Sequence, residues 1–388
     1  MGTVAAGALP YAPQSGAVGV YVHYPFCSAI CNYCNFNRGL FDEGLAARYV
    51  AALRAEIACA ADGAVVDTVY FGGGTPSLMA ATDVARVIAA CRDAFTLDAA
   101  AEVTIEMNPE SAEPATLAAL REAGVNRLSL GVQSFHDEEL RRLGRIHSAA
   151  RARRAIQDAR AAGFGNVSLD LMMWLPGQDL SAWLSNVEAL VDAGPEHASL
   201  YLLEIYPNAP LRDEMARQAW HTAPDDVAAD MYLLGLERLE AAGFAQYEIS
   251  NVARDARYAR HNLKYWTGGE WFGFGCGAHG TRQGARWRNV ASTTDYLDLV
   301  ALGRAPRAET RVLSQGDLLV EALIMGLRLA GGVDVVALGA LVGCDIEARF
   351  GADLRPFVDA SLVDLAEGRW RLTRRGMLLA NEVLAVFV

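Results

Sequence analysis

The chain has 388 residues, of which 52% are hydrophobic and 21% are charged, and its formal net charge is −12. This length allows two domains, and the composition is that of a folded globular protein. The excess of negative charge repels phosphate backbones, which argues against nucleic acid as the main partner. The sequence has no run of about 18 apolar residues and therefore predicts no membrane-spanning helix.

The cysteine usage and the N-terminal residues predict a cytoplasmic protein. Of the seven cysteines, three lie close together and Cys59, Cys91, Cys276 and Cys344 are scattered, so the cysteines do not form a disulfide framework. The N-terminal residues lack the basic start and apolar stretch of a signal peptide. We expect residues 1–18 to be a flexible tail.

From residue 19 onward, short apolar segments alternate with helical ones. Strands are predicted at 19–23, 67–71, 102–107, 127–131, 166–172 and 197–204. Helices are predicted at 45–61, 82–95, 114–123, 137–143, 149–162 and 181–192. Six strand-then-helix units favour parallel strands with right-handed crossovers, in a barrel or in an open doubly wound sheet.

The remaining residues predict a connector and a small second domain. A helix is predicted at 224–242, and a basic link follows at 304–311. From about residue 313, two helices precede a strand, a turn, a strand and a helix, as in a small winged-helix-like α+β module. We therefore expect a barrel at 19–250, a connector at 251–304 and a C-terminal domain at 305–388.

Polar side chains and glycines follow five successive predicted strands at the point where each strand ends. They are Cys27, Cys31 and Cys34, then Gly73, Gly74 and Thr75, then Glu106 with Asn108, then Gln133, and finally Asp170. Ligands of parallel α/β folds bind at the carboxyl ends of the strands, so these residues predict one shared site. Taken singly, each could instead be a helix cap or part of a tight turn.

The three clustered cysteines, Cys27, Cys31 and Cys34, are too close together for structural disulfides. They also lack the second cysteine pair of a usual zinc site. Three thiolates on one loop can bind three irons of a four-iron cubane and leave one iron open to a ligand. The competing explanation is three structural thiols that lie close together by coincidence.

This cysteine spacing, with Tyr33 as the aromatic residue before the last cysteine, resembles the signature of the radical S-adenosylmethionine (SAM) superfamily. The resemblance implies a partial (βα)6 barrel with a [4Fe-4S] cluster on the three cysteines and SAM chelated to the open iron. It also implies SAM contacts from Tyr21, Tyr33, Gly73, Gly74, Thr75, Glu106, Gln133, Arg145 and Asp170. A sulfonium ligand with an ammonium, a carboxylate and hydroxyls needs acidic, basic and amide partners, which this set contains.

Over residues 19–388 the chain is similar to a branch that contains coproporphyrinogen III dehydrogenases and HemW-type heme chaperones. The dehydrogenases have a cysteine where this chain has Phe36, whereas the chaperones usually have phenylalanine. The stretch "RHNLKYW" resembles the HNxxYW motif associated with heme binding. This resemblance implies heme contacts from His261, Asn262, Tyr265 and Trp266.

These features favour a HemW-type chaperone that delivers heme to an apo-hemoprotein, for example a membrane respiratory enzyme. The alternatives are an oxygen-independent coproporphyrinogen III dehydrogenase and a radical SAM methyltransferase on the same scaffold. The chaperone hypothesis requires no substrate turnover and names no catalytic residue. Trp174 stands where the family often has glycine, and we expect its side chain to narrow the barrel mouth.

Overall fold

Strands and helices alternate through residues 16–388, the part of the chain that this computed structural model describes; residues 1–15 of the expected tail lie outside it. The strands are β1 (Val18–Tyr24), β2 (Phe26–Cys27), β3 (Gly39–Leu40), β4 (Val65–Gly73), β5 (Thr96–Met107), β6 (Arg127–Gln133), β7 (Val167–Met173), β8 (His197–Leu202), β9 (Ala245–Gln246), β10 (Asn251–Ala253), β11 (Trp271–Phe274), β12 (His279–Arg282), β13 (Ala285–Asn289), β14 (Arg307–Val312), β15 (Val333–Asp334), β16 (Val363–Ala366) and β17 (Arg369–Leu372). The helices are α1 (Glu43–Cys59), α2 (Ala81–Ala94), α3 (Pro114–Glu122), α4 (Asp137–Arg142), α5 (Ala149–Ala161), α6 (Leu180–Ala193), α7 (Pro210–Gln218), α8 (Asp225–Ala241), α9 (Arg260–Trp266), α10 (Thr293–Ala301), α11 (Gln315–Leu327), α12 (Val335–Val342), α13 (Ile346–Asp359), α14 (Arg374–Leu378) and α15 (Ala380–Leu384). Within these residues, no helix combines the length and the apolar character needed to cross a bilayer.

The six predicted parallel strands lie in the centre of one twelve-stranded sheet. The strand order across this sheet is β14, β13, β12, β11, β1, β4, β5, β6, β7, β8, β10 and β9. The neighbours from β1 to β8 in this order are parallel and are connected by helices, which confirms the six βα units of a partial barrel. The edge strands β14 and β9 do not pair with each other, so the barrel stays open.

Residues 251–312, which include the expected connector 251–304 and the first residues of the expected C-terminal domain 305–388, add strands to both edges of this sheet. β11 pairs in parallel with β1, and β12, β13 and β14 continue outward from β11 as antiparallel neighbours. At the other edge, β10 pairs antiparallel with β8. These added strands contain only three to six residues each, too few for a hydrophobic period to reveal them in the sequence.

Side chains alternate between the two faces of the central strands, and the two faces differ in polarity. In β6, Leu128, Leu130 and Val132 are fully buried in the hydrophobic core. Ser129 and Gln133, which alternate with these residues, line a cavity inside the barrel. Since strand side chains alternate with a period of two, a single strand supplies both the apolar shell and the polar interior.

The C-terminal residues form a small α+β domain, which confirms the prediction. Its antiparallel sheet has the order β15, β17, β16, and α11 contacts this sheet. α11 begins at a capping box in which Ser314 and Asp317 exchange side-chain-to-backbone hydrogen bonds. α14 contacts α8 of the barrel, and there the Arg374 guanidinium donates to Glu240 at 3.1 Å.

Candidate functional site

Of the three clustered cysteines, Cys27 is the last residue of β2, and Cys31 and Cys34 lie on the loop between β2 and β3. Phe41 N donates to Cys27 O at 2.9 Å at the base of this loop, and Cys34 N donates to Cys31 O at 3.2 Å within it. All three thiols are free and line one cavity of about 450 Å³ at the carboxyl ends of the barrel strands. We call this space the cofactor cavity.

The glycine-rich turn after β4 packs directly against the cysteine loop. Gly74 N donates to Tyr24 O at 2.8 Å, and Thr75 N donates to Phe26 O at 2.8 Å. A Cβ atom on Gly74 would lie 2.7 Å from Phe26 O and 2.9 Å from Cys27 Sγ. Glycine is therefore required at this position, because a side chain would collide with the backbone that carries the first cysteine.

We expect Gly74→Ala to push the cysteine loop out of place. The variant should lose most of the iron that the wild type retains after anaerobic reconstitution, and its free energy of unfolding should fall by about 1–3 kcal/mol because of the steric clash. Iron analysis and denaturant unfolding measure the two effects. Gly165→Ala is the matched control, since no atom lies within 4 Å of its added Cβ. Wild-type iron content in Gly74→Ala would contradict the expectation.

Three carboxyl groups lie on the wall of the cofactor cavity, and two of them, those of Glu106 and Asp170, are partly buried at strand ends. Glu106 accepts hydrogen bonds from Tyr70 Oη at 2.7 Å and from Gly73 N at 3.2 Å. Asp170 accepts one from Ser129 Oγ at 3.3 Å. Loss of hydration raises the pKa of Glu106 to about 7 and that of Asp170 to about 6. A cationic ligand would stabilise the ionised form of both carboxyl groups.

Basic and amide groups face the same cavity. The Arg145 guanidinium donates to Asn108 Oδ1 at 2.7 Å and to Gly131 O at 2.9 Å, and it lies 3.5 Å from Cys31 Sγ. Gln133 has left-handed backbone with a φ of 66°, and its Oε1 is buried with no hydrogen-bond partner among residues 16–388. Leaving such an acceptor unpaired costs about 1–3 kcal/mol, which a donor on a bound ligand would recover.

Eleven of the predicted cluster and SAM residues lie on the wall of this one cavity. They are Cys27, Cys31, Tyr33, Cys34, Gly73, Gly74, Thr75, Glu106, Gln133, Arg145 and Asp170. The twelfth, Tyr21, is not on the wall, and its hydroxyl lies 3.1 Å from Nδ1 of His23. Phe36 also lines the cavity and is 68% exposed. Trp174 does not line it, and its Nε1 instead donates to Ala223 O at 2.6 Å, so the expectation that it narrows the barrel mouth is wrong.

Arg127, at the start of β6, is a candidate that the sequence reasoning missed. Its side chain is 1% exposed, and its Nε has no hydrogen-bond partner within residues 16–388. Loss of hydration raises the pKa values of Glu106 and Asp170, and the positive charge of Arg127 lowers them. The available signal was that Arg127 is the only charged residue of this strand.

The HNxxYW residues do not line the cofactor cavity. His261 is fully buried, with Nδ1 2.8 Å from Thr68 Oγ1 and Nε2 2.9 Å from Tyr265 Oη. Its ring stacks on Tyr70 with ring centroids 5.3 Å apart. Burial lowers the pKa of His261 to about 3, so the imidazole is neutral and both of its nitrogens are hydrogen-bonded.

Asn262 and Trp266 of the HNxxYW motif are only partly buried. Trp266 packs against the Arg328 guanidinium, which lies 4.4 Å from the ring centroid, and its Nε1 has no hydrogen-bond partner among residues 16–388. Asn262 lies on the same helix, α9, and is also partly exposed. Asn262 and Trp266 are therefore nearer to solvent than His261, whose ring packs against β4.

The residues of the cofactor cavity fit an iron–sulfur cubane and a ligand bound to it. Within residues 16–388, no three His, Cys, Asp or Glu side chains converge on a single metal ion. A cubane makes a different demand, because each thiolate binds a separate iron. The cavity wall supplies three free thiols for the cluster. The Arg145 guanidinium beside Cys31 and the unpaired Gln133 Oε1 are available to a ligand bound to the cluster.

Comparisons with known proteins identify the superfamily and the fold. A family model described as the radical SAM superfamily matches residues 21–202, and one described as the HemN C-terminal domain matches residues 313–379. The solved structure of coproporphyrinogen III oxidase (HemN) from Escherichia coli has the same fold, with a TM-score of 0.85 over 96% of this chain and 90% of that chain, at 23% identity. The fold and the family model place the chain in the radical SAM superfamily, which implies a 4Fe–4S cluster and SAM.

Relatives in sequence define the family more narrowly. Heme chaperone HemW of Mycobacterium tuberculosis (strain H37Rv) is 40% identical over 384 residues, which cover 96% of this chain and 95% of the relative. Heme chaperone HemW of Bacillus subtilis (strain 168) is 34% identical over 372 residues, which cover 95% and 98%. The chain belongs to the HemW family of heme chaperones.

Proposed function

We propose that this protein is a heme chaperone that holds a [4Fe-4S] cluster and SAM in the cofactor cavity and delivers heme to an apo-hemoprotein. The observation that carries the proposal is the similarity to HemW proteins along 96% of the chain. Phe36 supports it, because this exposed side chain stands at the cavity where the dehydrogenases have a cysteine. The proposed place of action is the cytoplasm, and the proposed recipient is an apo-hemoprotein, for example a membrane respiratory enzyme.

The proposed roles in the cofactor cavity follow from the chemistry of its side chains. When bound through Cys27, Cys31 and Cys34, the cluster supplies an open iron that takes the amino and carboxylate groups of SAM. Glu106 and Asp170 neutralise positive charge in the cavity. A second group of residues on the wall would contact the remaining parts of SAM: Tyr33, Gly73, Gly74, Thr75, Gln133 and Arg145. Tyr21, which does not line the cavity, would act only through its neighbours.

Heme contact through the HNxxYW residues is a separate part of the proposal. Asn262 and Trp266, which are partly exposed, can meet a ligand from the surface. Iron ligation by His261 would first require the ring to leave Thr68 and Tyr265, to which it is hydrogen-bonded. A heme-bound form with iron on His261 would therefore differ from this structure around α9.

Turnover and heme transfer separate the chaperone from the dehydrogenase. After anaerobic reconstitution, the protein should bind heme and pass it to an apo-hemoprotein, as measured by the absorbance and activity of the recipient. Supplied with SAM, a reductant and coproporphyrinogen III, it should form no protoporphyrinogen. Conversion of the porphyrinogen together with release of 5′-deoxyadenosine would overturn the chaperone proposal and establish the dehydrogenase.

A further inference from the structure

Asn37, near the end of the cysteine loop (residues 28–38), ties this loop to the edge of the barrel. It lies three residues after Cys34, and its Nδ2 donates to Cys276 O at 3.2 Å and to Ala291 O at 3.0 Å. A side-chain amide has two donor protons, so both are used on backbone carbonyls of the segment that adds β11–β14 to the barrel.

His23 of β1 holds the backbone of the same residue. Its Nε2 donates to Asn37 O at 2.8 Å, and its Nδ1 accepts from Tyr21 Oη at 3.1 Å. Burial lowers the pKa of His23, which keeps the ring neutral, with one donor and one acceptor nitrogen. The side chain and the backbone of Asn37 are therefore both fixed by hydrogen bonds.

A glycine-rich turn at Gly275–Ala278, directly after β11, receives the Asn37 amide. A Cβ atom on Gly277 would lie 2.5 Å from Asn37 Nδ2, and the φ of Gly277 is 70°. A Cβ atom on Gly275 would lie 2.6 Å from His23 O, and the φ of Gly275 is 97°. At both positions a left-handed backbone and a close approach to the partner segment require glycine.

Glu56 of α1 fixes this turn from its other side. The carboxyl group accepts from Gly275 N at 2.9 Å, from Asn289 Nδ2 at 2.7 Å and from Tyr296 Oη at 2.8 Å. Three donors on one carboxyl group join the turn to α1, β13 and α10. A hydrogen-bonded network of this kind is rigid, so the turn offers Asn37 acceptors at fixed positions.

A second asparagine attaches the cysteine loop on the opposite side of the barrel. Asn32 Nδ2 donates to Arg142 O at 2.8 Å, at the end of α4, and to Glu214 Oε2 of α7 at 3.0 Å. The loop is thus attached at two points, one between Cys31 and Cys34 and one after Cys34. Loss of the second attachment would let the end of the loop swing about the first.

We propose that Asn37 is a positioning residue for the iron–sulfur cluster, because it holds the end of the cysteine loop against the turn Gly275–Ala278. The inference rests on the proposed binding of the cluster through Cys27, Cys31 and Cys34. Asn37 does not line the cofactor cavity, so it acts through the backbone that carries the cysteines.

The exposure of the loop explains why such an attachment is needed. Ser28, Ile30, Asn35 and Phe36 are all exposed, so much of the loop is surrounded by water. Three thiolates must nevertheless meet one cubane at fixed separations. Ordering the loop before the cluster binds removes part of the entropic cost of binding, and Asn37 supplies that order.

Truncation of Asn37 and crowding of its partner turn test the inference. Asn37→Ala removes both donors, and Gly277→Ala leaves the cysteine loop unchanged but places a methyl group against Asn37 Nδ2. Gly284→Ala is the control for the second variant, since the φ of Gly284 is 75° and no atom lies within 4 Å of its added Cβ. Asn208→Ala, at an exposed asparagine that does not line the cofactor cavity, is the control for the first.

The release of iron to a chelator and the electron paramagnetic resonance (EPR) spectrum of the reduced cluster measure the effect. After anaerobic reconstitution, Asn37→Ala and Gly277→Ala should release iron about tenfold faster than the wild type, because the loop loses two hydrogen bonds. The EPR spectra of both variants, with and without SAM, should differ from those of the wild type. Both controls should match the wild type in rate and spectrum.

The outcomes separate the positioning residue from the cluster site. If the wild type takes up a cluster and both variants keep its rate of iron release and its EPR spectra, the inference is overturned, and the cluster on the three cysteines stands. A lower free energy of unfolding with wild-type spectra marks a merely structural role and overturns it too, as does an equal effect of Gly284→Ala. If the wild type takes up no cluster, the proposed cluster site and the inference both fall. Circular dichroism establishes folding; if Gly277→Ala is not folded, Asn37→Ala, at a partly exposed position, decides alone.

Discussion

Cys31→Ala is expected to abolish the iron–sulfur cluster. The three clustered thiols are the protein ligands that the cofactor cavity offers to a cubane. The fourth iron of the cubane would have no protein ligand and would bind SAM. Removing one of three ligands leaves the cluster with two, so anaerobically reconstituted Cys31→Ala should contain almost no iron or sulfide. Iron and acid-labile sulfide analysis measure the loss, and SAM binding should disappear with it because its iron site is gone.

Cys59→Ala is the control for this prediction. Cys59 is an exposed free thiol at the end of α1 and does not line the cofactor cavity. Its replacement should leave iron, sulfide and SAM binding unchanged. A full complement of iron in Cys31→Ala would contradict the prediction and return the three cysteines to the status of structural thiols.

Glu106→Gln is expected to make the cofactor-free protein more stable than the wild type above neutral pH. Loss of hydration raises the pKa of Glu106 from 4.5 to about 7, so the folded state holds a proton that the unfolded state has already released. For a raised pKa, stability falls as the pH rises from about 4.5 to about 7 and then stays level. The contribution of Glu106 to this fall should be roughly 3 kcal/mol, and glutamine removes it.

Denaturant unfolding of both proteins between pH 5 and pH 8 measures this difference. The gain of Glu106→Gln over the wild type should grow with pH, whereas Glu122→Gln, at an exposed carboxyl group, should show no such trend. Glu106→Gln should weaken SAM binding, since the neutral amide cannot compensate the positive charge of the ligand. A constant stability difference across this pH range would show that Glu106 is not the group that titrates.

Arg127 gives the same carboxyl group a second, independent test. Its positive charge lowers the pKa of Glu106, whereas the larger effect of lost hydration raises it. Arg127→Met should therefore move the pH dependence of SAM binding to higher pH.

The central strands and most of the cofactor cavity were predictable from local patterns. Each βα unit carries its own hydrophobic period, and a parallel arrangement brings the carboxyl ends of all six strands to one edge. Cys27, Glu106 and Asp170 therefore had to converge once the strands were parallel. Arg127 escaped this reasoning because it lies at the start of a strand, where no site is expected.

Burial inside the barrel could not be predicted from the same patterns. His261 is in a short helix after β10, and nothing local indicates that its ring enters the core against Thr68 and Tyr70. The strands that add to the barrel edges, such as β11, were likewise too short to recognise before their partners were known.

The βα alternation, the three clustered cysteines and the convergence of polar residues on one cavity could all be predicted from the sequence. These properties depend on residues close together in the chain and on the geometry of parallel strands. The tertiary structure alone decided that His261 is enclosed, that Trp174 turns away from the barrel mouth, and that the turn after β11 meets the end of the cysteine loop. Enclosure of this kind depends on contacts between segments distant in the chain, such as His261 and Thr68 at a separation of 193 residues, and no local period encodes it.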